Sequence, residues 1–290
     1  MEKPDNLVLG ALPHFYNSMA GTRGRYGQAG YFSLADLPQR PSVAQHALST
    51  GWWELDQIFK LYAGQFVVCT GIAGHGKSTF LLNVLINIAK KHGTRSFLYV
   101  PENEQHLGEK LRKIYGNDEM FKHFAAEQCF VQSSAVDSPE QPPKTLRWVL
   151  EQAEKAVDED DCDVVLVDPW NELDRAKPRD MLMSDYIGES LMMLKQFCRA
   201  KEATVIVVAH PTKAVNENGG RTATLADIEG SMNWFNKCDN GLIVVRDPEK
   251  NTARVISAKV REIGAGKLGA CHFYVDPQTG RYTPQTGGVY

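Results

Sequence analysis

Gln65-Phe-Val-Val-Cys-Thr-Gly-Ile-Ala-Gly-His-Gly-Lys-Ser78 is the stretch that decides the fold of this chain. Gly71, four residues, Gly76, Lys77 and Ser78 complete a phosphate-cradling pattern. A glycine-rich turn aims several backbone N–H groups at one anion, because glycine adopts the positive φ that such a turn needs. Lys77 then places its ammonium on the β- and γ-phosphates, and the Ser78 hydroxyl is a ligand for Mg²⁺. The flanks agree with this. Residues 65–70 form a short β-rich apolar run, and 79–90 repeat apolar residues at three- and four-residue steps. The order is strand, loop, helix, with the helix N-terminus facing the phosphates. The implied ligand is a nucleotide bound with Mg²⁺. A glycine turn with a chance lysine would not require both flanks to agree.

Working outward, strand-like runs fall at 66–70, 95–100, 163–168, 203–209 and 240–246, and helix-like runs at 77–91, 104–115, 143–157 and 182–200. Strands alternating with helices predict an α/β fold, a mainly parallel twisted sheet flanked by helices. Two further runs, 252–260 and 270–276, are joined by a segment holding Gly264, Gly266 and Gly269, and predict an antiparallel C-terminal extension. Residues 1–47 differ, with glycines and prolines scattered among aromatics and little periodicity. They read as an N-terminal arm or linker with a short helix near Ser33–Leu37, and 48–290 as the ATPase domain. The aromatics Phe15, Tyr16, Tyr26, Tyr31 and Phe32 suit an arm that packs on a neighbour better than a disordered tail.

The chain has 290 residues and a formal net charge of −3, so any polyanion site must be a local patch. Six cysteines (Cys69, Cys129, Cys162, Cys198, Cys238, Cys271) form no C-x-x-C pair and read as reduced core residues of a cytoplasmic protein. The expected location is the cytoplasm, or a host's cytoplasm if the chain is phage-encoded. No apolar stretch approaches the roughly 18 residues of a membrane span, and the start lacks the basic-then-apolar order of a signal peptide.

In open α/β sheets the functional residues gather at the carboxyl ends of strands. The run Asp163-Val-Val-Leu-Val-Asp168 ends in an acid placed to hold Mg²⁺. The run 95–100 ends at Pro101-Glu102-Asn103-Glu104, where Glu102 can orient and deprotonate the attacking water. The alternative is an acid favoured by a helix dipole, which Glu104 fits better. The run 203–209 ends at His210, either a sensor of the γ-phosphate or a capping residue of a surface loop. Position alone leaves both open. The loop at 211–221 carries Lys213 and Arg221, and the loop at 169–179 carries Arg175, Lys177 and Arg179. Together they form either a polyanion track or two solvated loops. Lys259 and Arg261 alternate on one strand and so project together. Two adjacent cations suit the phosphates of a neighbouring subunit, with Arg261 as an arginine finger, or else an edge strand protected from aggregation.

In this order the elements resemble the RecA-like ring helicases of the DnaB/Twinkle superfamily, phage-type members above all, over roughly residues 48–285. Ser49-Thr-Gly-Trp-Trp-Glu-Leu-Asp56 is similar to the S-T-G-x-x-x-L-D segment that precedes the phosphate loop in that family. The resemblance implies Gly71, Gly74, Gly76, Lys77, Ser78, Thr79 and Asp168 as the nucleotide site. Ser78 and Asp168 hold Mg²⁺, Glu102 is the catalytic glutamate and His210 the sensor. It implies Lys259 and Arg261 acting in trans, Arg246 near the adenine and Tyr274 stacked on the base. Asp227-Ile-Glu-Gly-Ser-Met-Asn233 continues a block that contacts DNA in the family. The implied DNA contacts are Arg175, Lys213, Arg221, Ser231, Asn233 and Lys237.

The expected function is therefore an ATP-dependent replicative DNA helicase that translocates 5′ to 3′ on single-stranded DNA. Its implied partners are single-stranded DNA, copies of itself in a hexameric ring, and a primase or primase domain; no membrane partner is expected. The family's replicative members carry an N-terminal primase or primase-like domain, whereas only a short arm precedes residue 48 here. Two rivals share the fold: a RecA/RadA-like recombination ATPase, and a signalling or assembly ATPase indifferent to DNA.

Overall fold

Phe66, Val67, Val68, Cys69 and Thr70 are all buried in the computed structural model, and they form strand β1 (Phe66–Thr70). Unbroken burial means that both faces of the sheet are covered, which is why this strand reads as a continuous apolar run. The structure describes Leu34 and residues 42–133, 143–212, 221–230 and 232–285. Apart from Leu34, the helix expected near Ser33–Leu37 lies outside them, as do residues 1–33 of the expected arm.

Among the described residues the α-helices are α1 (Val43–His46), α2 (Trp53–Asp56), α3 (Lys77–His92), α4 (Glu104–Tyr115), α5 (Asp118–Glu127), α6 (Leu146–Glu159), α7 (Met183–Lys201) and α8 (Met232–Lys237). The remaining strands are β2 (Ser96–Tyr99), β3 (Cys129–Val131), β4 (Val164–Val167), β5 (Thr204–Val208), β6 (Asn240–Asp247), β7 (Thr252–Val260), β8 (Gly269–Val275) and β9 (Tyr282–Pro284). They form one sheet in the order β3-β2-β4-β5-β1-β6-β7-β8-β9. Pairing is parallel from β3 to β6 and antiparallel from β6 to β9. This is the mainly parallel sheet with an antiparallel extension that the sequence predicts.

Alternate strand residues feed two cores. Val67, Cys69, Leu98, Ile206 and Val244 pack under α3 and α4. Phe66, Val68, Phe97, Val165 and Val205 pack under α6 and α7. Helix α3 starts at Gly76, which has a φ of 79°, and stops at Gly93, which has a φ of 70° and whose N–H bonds to the Ala89 carbonyl. Lys90, Lys91 and His92 occupy its last turn, where the helix dipole favours cations.

Most predicted strands lie within a residue or so of their observed ends. The helix predicted from 143 begins instead at Leu146, because Thr145 caps it: its hydroxyl accepts the Trp148 N–H at 3.3 Å. The sequence reading missed α1, α2, α5, the three-residue edge strand β3, α8 and β9. Segments this short show too few turns or alternations to register as periodic.

The Ser49–Asp56 motif is a self-contained turn. The Asp56 carboxylate accepts from the Ser49 and Thr50 hydroxyls and from the Thr50 N–H. Lys91 and His92 at the end of α3 contact Ser49 in turn, so the motif pins the incoming chain to the phosphate-loop helix.

Parallel pairing puts the carboxyl ends of β1, β2, β4 and β5 on one edge of the sheet. β7 runs the other way and delivers its end to the opposite edge. There the Arg261 N–H bonds to the Asp239 carbonyl, and the Asp239 N–H bonds to the Phe66 carbonyl. Arg261 is thus level with the first residue of β1, about 16 Å of strand from Gly71 at roughly 3.3 Å per residue.

Candidate active site

Gly71, Gly74 and Gly76 have φ of 145°, 78° and 79°, the conformations that favour glycine. A Cβ on Gly71 would lie 2.3 Å from the Val244 carbonyl oxygen, and one on Gly76 would lie 2.9 Å from the Tyr282 hydroxyl. The loop is therefore pressed against β6 and β9. His75 accepts the Arg246 N–H at 3.4 Å, and the Tyr282 hydroxyl donates to the Gly76 carbonyl at 3.3 Å.

Lys77 is 4% exposed, and its ammonium donates to the Gly71 and Ile72 carbonyls at 2.9 and 3.1 Å. Burial pushes its pKa down, while Cys69, Asp168 and Glu102 pull it back up. Asp168 at the end of β4 is buried and accepts a hydrogen bond from Ser78. Burial raises its carboxyl above the usual range, opposed by Ser78, Lys77 and Lys110. Glu102 follows β2 and is also held above the usual range, first by burial and then by the carboxylates of Glu172 and Asp168. Glu172 also shares a side-chain hydrogen bond with it. His210 follows β5. Burial and then Lys77 push its imidazole below the ordinary histidine value, so it is neutral near pH 7. The structure therefore brings Lys77, Ser78, Glu102, Asp168 and His210 to one edge of the sheet.

The residues fit a nucleotide with Mg²⁺. A buried ammonium resting on carbonyls suits phosphate oxygens, and the glycine turn, packed so tightly on β6 that Gly71 has no room for a Cβ, can aim its backbone N–H groups at one anion. Arg246 Nε and His210 Nδ1 are buried with no partner among the described residues. Ser78 and Asp168 supply two oxygens, which suits Mg²⁺, since that ion takes its other ligands from water and phosphate. Beside Thr79 a cavity of about 260 Å³ is lined by Lys110, Arg246, Pro277 and Gly280 among others. The larger depression of about 570 Å³ between Glu109 and Asp118 is open and lies away from the strand ends. Chemistry therefore points to the smaller one.

Tyr274 is not brought to this site. Arg246 pairs with Ala253 and Ala253 with Phe273, so Arg246 shares a sheet face with Phe273 and not with Tyr274. Tyr282 is the tyrosine that reaches the loop. Sequence reasoning also passed over His75, Lys110 and Glu172. Glu172 lies in the loop after Asp168 and was within reach of a strand-end argument. Lys110 is set by the packing of α4, which no local pattern encodes.

At the opposite edge, Arg261 donates to the Asn236 and Cys238 carbonyls at 2.7 and 3.2 Å and pairs with Asp239 at 3.3 Å. Lys259 donates to the Phe235 and Asn236 carbonyls, and burial lowers its pKa. Both cations are aimed by α8 and face away from the phosphate loop of their own chain.

Among the expected DNA contacts, Lys213 and Ser231 lie outside the described residues. Arg175 is bound by Glu229 and Arg221 by Asp227, each through two nitrogens. The Asn233 amide donates to the Ser184 carbonyl and fixes α8 on α7. The Lys237 carbonyl accepts from Lys195.

Residues 53–216, more than half of the chain, match the AAA domain family. The chain belongs to that family. The Twinkle homolog protein, chloroplastic/mitochondrial, of Arabidopsis thaliana is 30% identical over 98% of this AAA chain and 44% of its own length. The chain thus spans less than half of that relative. A solved structure of an isolated ATPase domain superposes with a TM-score of 0.68 at 16% identity, covering 94% of this chain and 97% of that one. A DnaB-like replicative helicase, described with its interactions with primase, superposes with a TM-score of 0.66 at 16% identity, covering 94% and 67%. Within the AAA family this chain has a RecA-like fold shared with those helicase ATPase domains, and its sequence is similar to the Twinkle homolog. Among the described residues no helix is long and apolar enough to cross a membrane.

Proposed function

We propose that this domain is a replicative helicase motor that hydrolyses ATP between neighbouring copies of itself to move along single-stranded DNA. The observation that carries this is the split of the site. Lys77, Ser78, Glu102, Asp168 and His210 meet at one edge of the sheet, while Lys259 and Arg261 are held at the other. One chain does not complete its own site, but a head-to-tail neighbour can; such contacts form a ring where the rotation closes and a filament where it does not, and a hexameric ring is the form proposed here.

In this reading the glycine loop and Lys77 hold the triphosphate, and Ser78 and Asp168 hold Mg²⁺. When bound, Mg²⁺ neutralises charge on the phosphate oxygens. Glu102 accepts the proton of the attacking water, a role that its raised pKa suits. Arg261 of the next copy stabilises the charge developing on the transferred phosphoryl group. His210 senses that group while neutral. Arg175, Arg221, Asn233 and Lys237 lie on segments near the 227–230 block, and the strand of DNA is the proposed ligand of that face. The direction carried over from the family resemblance is 5′ to 3′, read out on forked duplexes. A primase is the proposed partner, by analogy with the DnaB-like relative.

The test is complementation. Lys77→Ala and Arg261→Ala each abolish DNA-stimulated ATPase alone. Mixed together, they regain activity at interfaces that pair an intact loop with an intact arginine. If Lys77→Ala keeps full DNA-stimulated hydrolysis, or if mixing restores nothing, the reading fails.

A further inference from the structure

The backbone ladder between β1 and β5 ends at Cys69 and Val208, with the Ala209 N–H still bonded to the Cys69 carbonyl at 3.0 Å. Beyond that point the polar groups of the next peptide need other partners. They find them in two side chains from two flanking strand ends. The Thr70 hydroxyl donates to the Ala209 carbonyl at 2.7 Å, and the Asn171 side-chain oxygen accepts the His210 N–H at 3.1 Å. The Ala209 carbonyl and the His210 N–H belong to the same planar peptide unit. A single rigid plate is thus gripped at both poles. One grip comes from the residue before Gly71, the other from the third residue after Asp168.

The chain beyond the plate is tied down as well. Pro211 bridges to Ile228, and the Thr212 N–H bonds to the Asp227 carbonyl at 2.8 Å. Asp227 and Ile228 open the block that ends at Gly230, with Glu229 bound to Arg175. One hydrogen-bonded path therefore runs from the phosphate loop and the Asp168 loop, through the 209–210 peptide, to the 227–230 block.

We propose that Thr70 and Asn171 are positioning residues that clamp the Ala209–His210 peptide and transmit the state of the nucleotide loops to the 227–230 block. The proposal rests on the motor reading above and adds two residues to it that touch neither phosphate nor DNA. A peptide plane pulled at one pole must turn as a whole. A shift of the Gly71 loop or of the Asp168 loop therefore reorients the His210 side chain and the Pro211–Thr212 segment together. Thr70 is fully buried, so its hydroxyl has no water to exchange with.

The variants are Thr70→Val, which keeps shape and loses the donor, and Asn171→Ala, which loses the acceptor on an exposed turn and leaves the core intact. Thr70→Ser and Asn171→Asp keep the hydrogen bonds and serve as rescue. Two readouts are needed. The first is ATPase turnover with and without oligo-dT. In the clamp variants basal turnover stays within about threefold while stimulation by DNA falls by about tenfold, a coupling loss of ordinary size, and the rescue variants restore it. The second is amide exchange across 209–212 and 226–229, with and without a slowly hydrolysed ATP analogue and Mg²⁺. The parent gains protection on binding and the clamp variants do not.

The readouts separate two failures. A parent that hydrolyses ATP without any response to oligo-dT overturns the motor reading, and the exchange experiment still decides the clamp. If the clamp variants keep both the DNA response and the nucleotide-dependent protection, the clamp is refuted. A fall in melting temperature with unchanged coupling also refutes it, because that is what purely structural bonds would give. Should Thr70→Val fail to fold, Asn171→Ala carries the test alone.

Discussion

Asp239→Ala should cost this domain much of its stability. Asp239 is 6% exposed. One carboxylate oxygen accepts from Lys195 at 2.7 Å and sits 3.3 Å from Arg261, and the other accepts the Phe66 N–H at 3.0 Å. Removing the carboxylate leaves the Lys195 ammonium, whose side chain is 14% exposed, with only the Lys237 carbonyl at 3.3 Å among the described residues. Breaking a buried pair by deleting one partner costs about 3–5 kcal/mol, because the remaining charge is stranded. The orphaned Phe66 N–H overlaps with that figure and does not simply add to it. At roughly 2–4 °C per kcal/mol for a chain of this class, the melting temperature falls by about 6–20 °C.

Urea unfolding of the parent, Asp239→Ala and Asp239→Ala with Lys195→Met measures this directly. The double variant should recover part of the loss, since it removes the stranded charge. The Lys201–Glu154 pair, whose glutamate is exposed and whose lysine keeps Asp158 as a second partner, is the internal control: Glu154→Ala should cost less than about 1 kcal/mol. If Asp239→Ala unfolds within about 1 kcal/mol of the parent, on the scale of a surface pair, the account of Asp239 as an anchor is wrong.

Glu102→Gln should keep nucleotide affinity and lower turnover by about 10²–10⁴, measured by ATPase against binding of a fluorescent analogue. In its proposed role Glu102 acts deprotonated and its pKa is raised, so turnover should fall with decreasing pH at a point above the ordinary glutamate value. Glu172→Gln removes a neighbouring negative charge and should shift that limb to lower pH; an unmoved limb would show that Glu172 does not act on Glu102. Gly71→Ala should cost about 1–3 kcal/mol and weaken ATP binding, because its Cβ would overlap the Val244 carbonyl and its φ of 145° is foreign to alanine. Denaturation together with nucleotide titration checks both effects. Glu229→Gln frees Arg175 from its ion pair and should tighten single-stranded DNA binding at low salt by a few-fold, on the order of one surface pair. Equal affinity in a salt titration would separate Arg175 from the DNA face.

The fold is legible wherever burial forces a pattern. Phe66–Thr70 and Val164–Val167 are covered on both faces, so their sequences are unbroken apolar runs. Asn117 and Asp118 open α5 with a capping side chain and an acidic first turn, yet the helix spans only ten residues and fully buries only Phe124, so its signal stays below a periodic pattern. The strand-end rule locates Glu102, Asp168 and His210 from sequence alone. It cannot locate Lys110 or Tyr282, which reach the site from α4 and β9 because of how those elements pack. Nor can it tell Tyr274 from Tyr282. Which tyrosine faces the loop depends on the register of β8 against β7, and a one-residue slip would exchange the two faces.

That register bears on assembly as well. β7 pairs with β6 through a bulge between Gly241 and Leu242, so the strand reaches Lys259 and Arg261 at the edge opposite the phosphate loop. There Asp239 grips Arg261 and Lys195, and through Phe66 it also grips the first residue of β1. The same strand that ends in the phosphate loop therefore begins at the anchor of the arginine. In the proposed assembly, a neighbour docking on the loop edge would meet the far end of a rigid element and not a separate flexible arm. In that assembly, a displacement at one nucleotide site would be carried along β1 to the arginine of the next site. Lengthening that path by inserting one residue into β1 would flip its two faces, and shortening it would do the same, so strand length and site order are bound together in this fold.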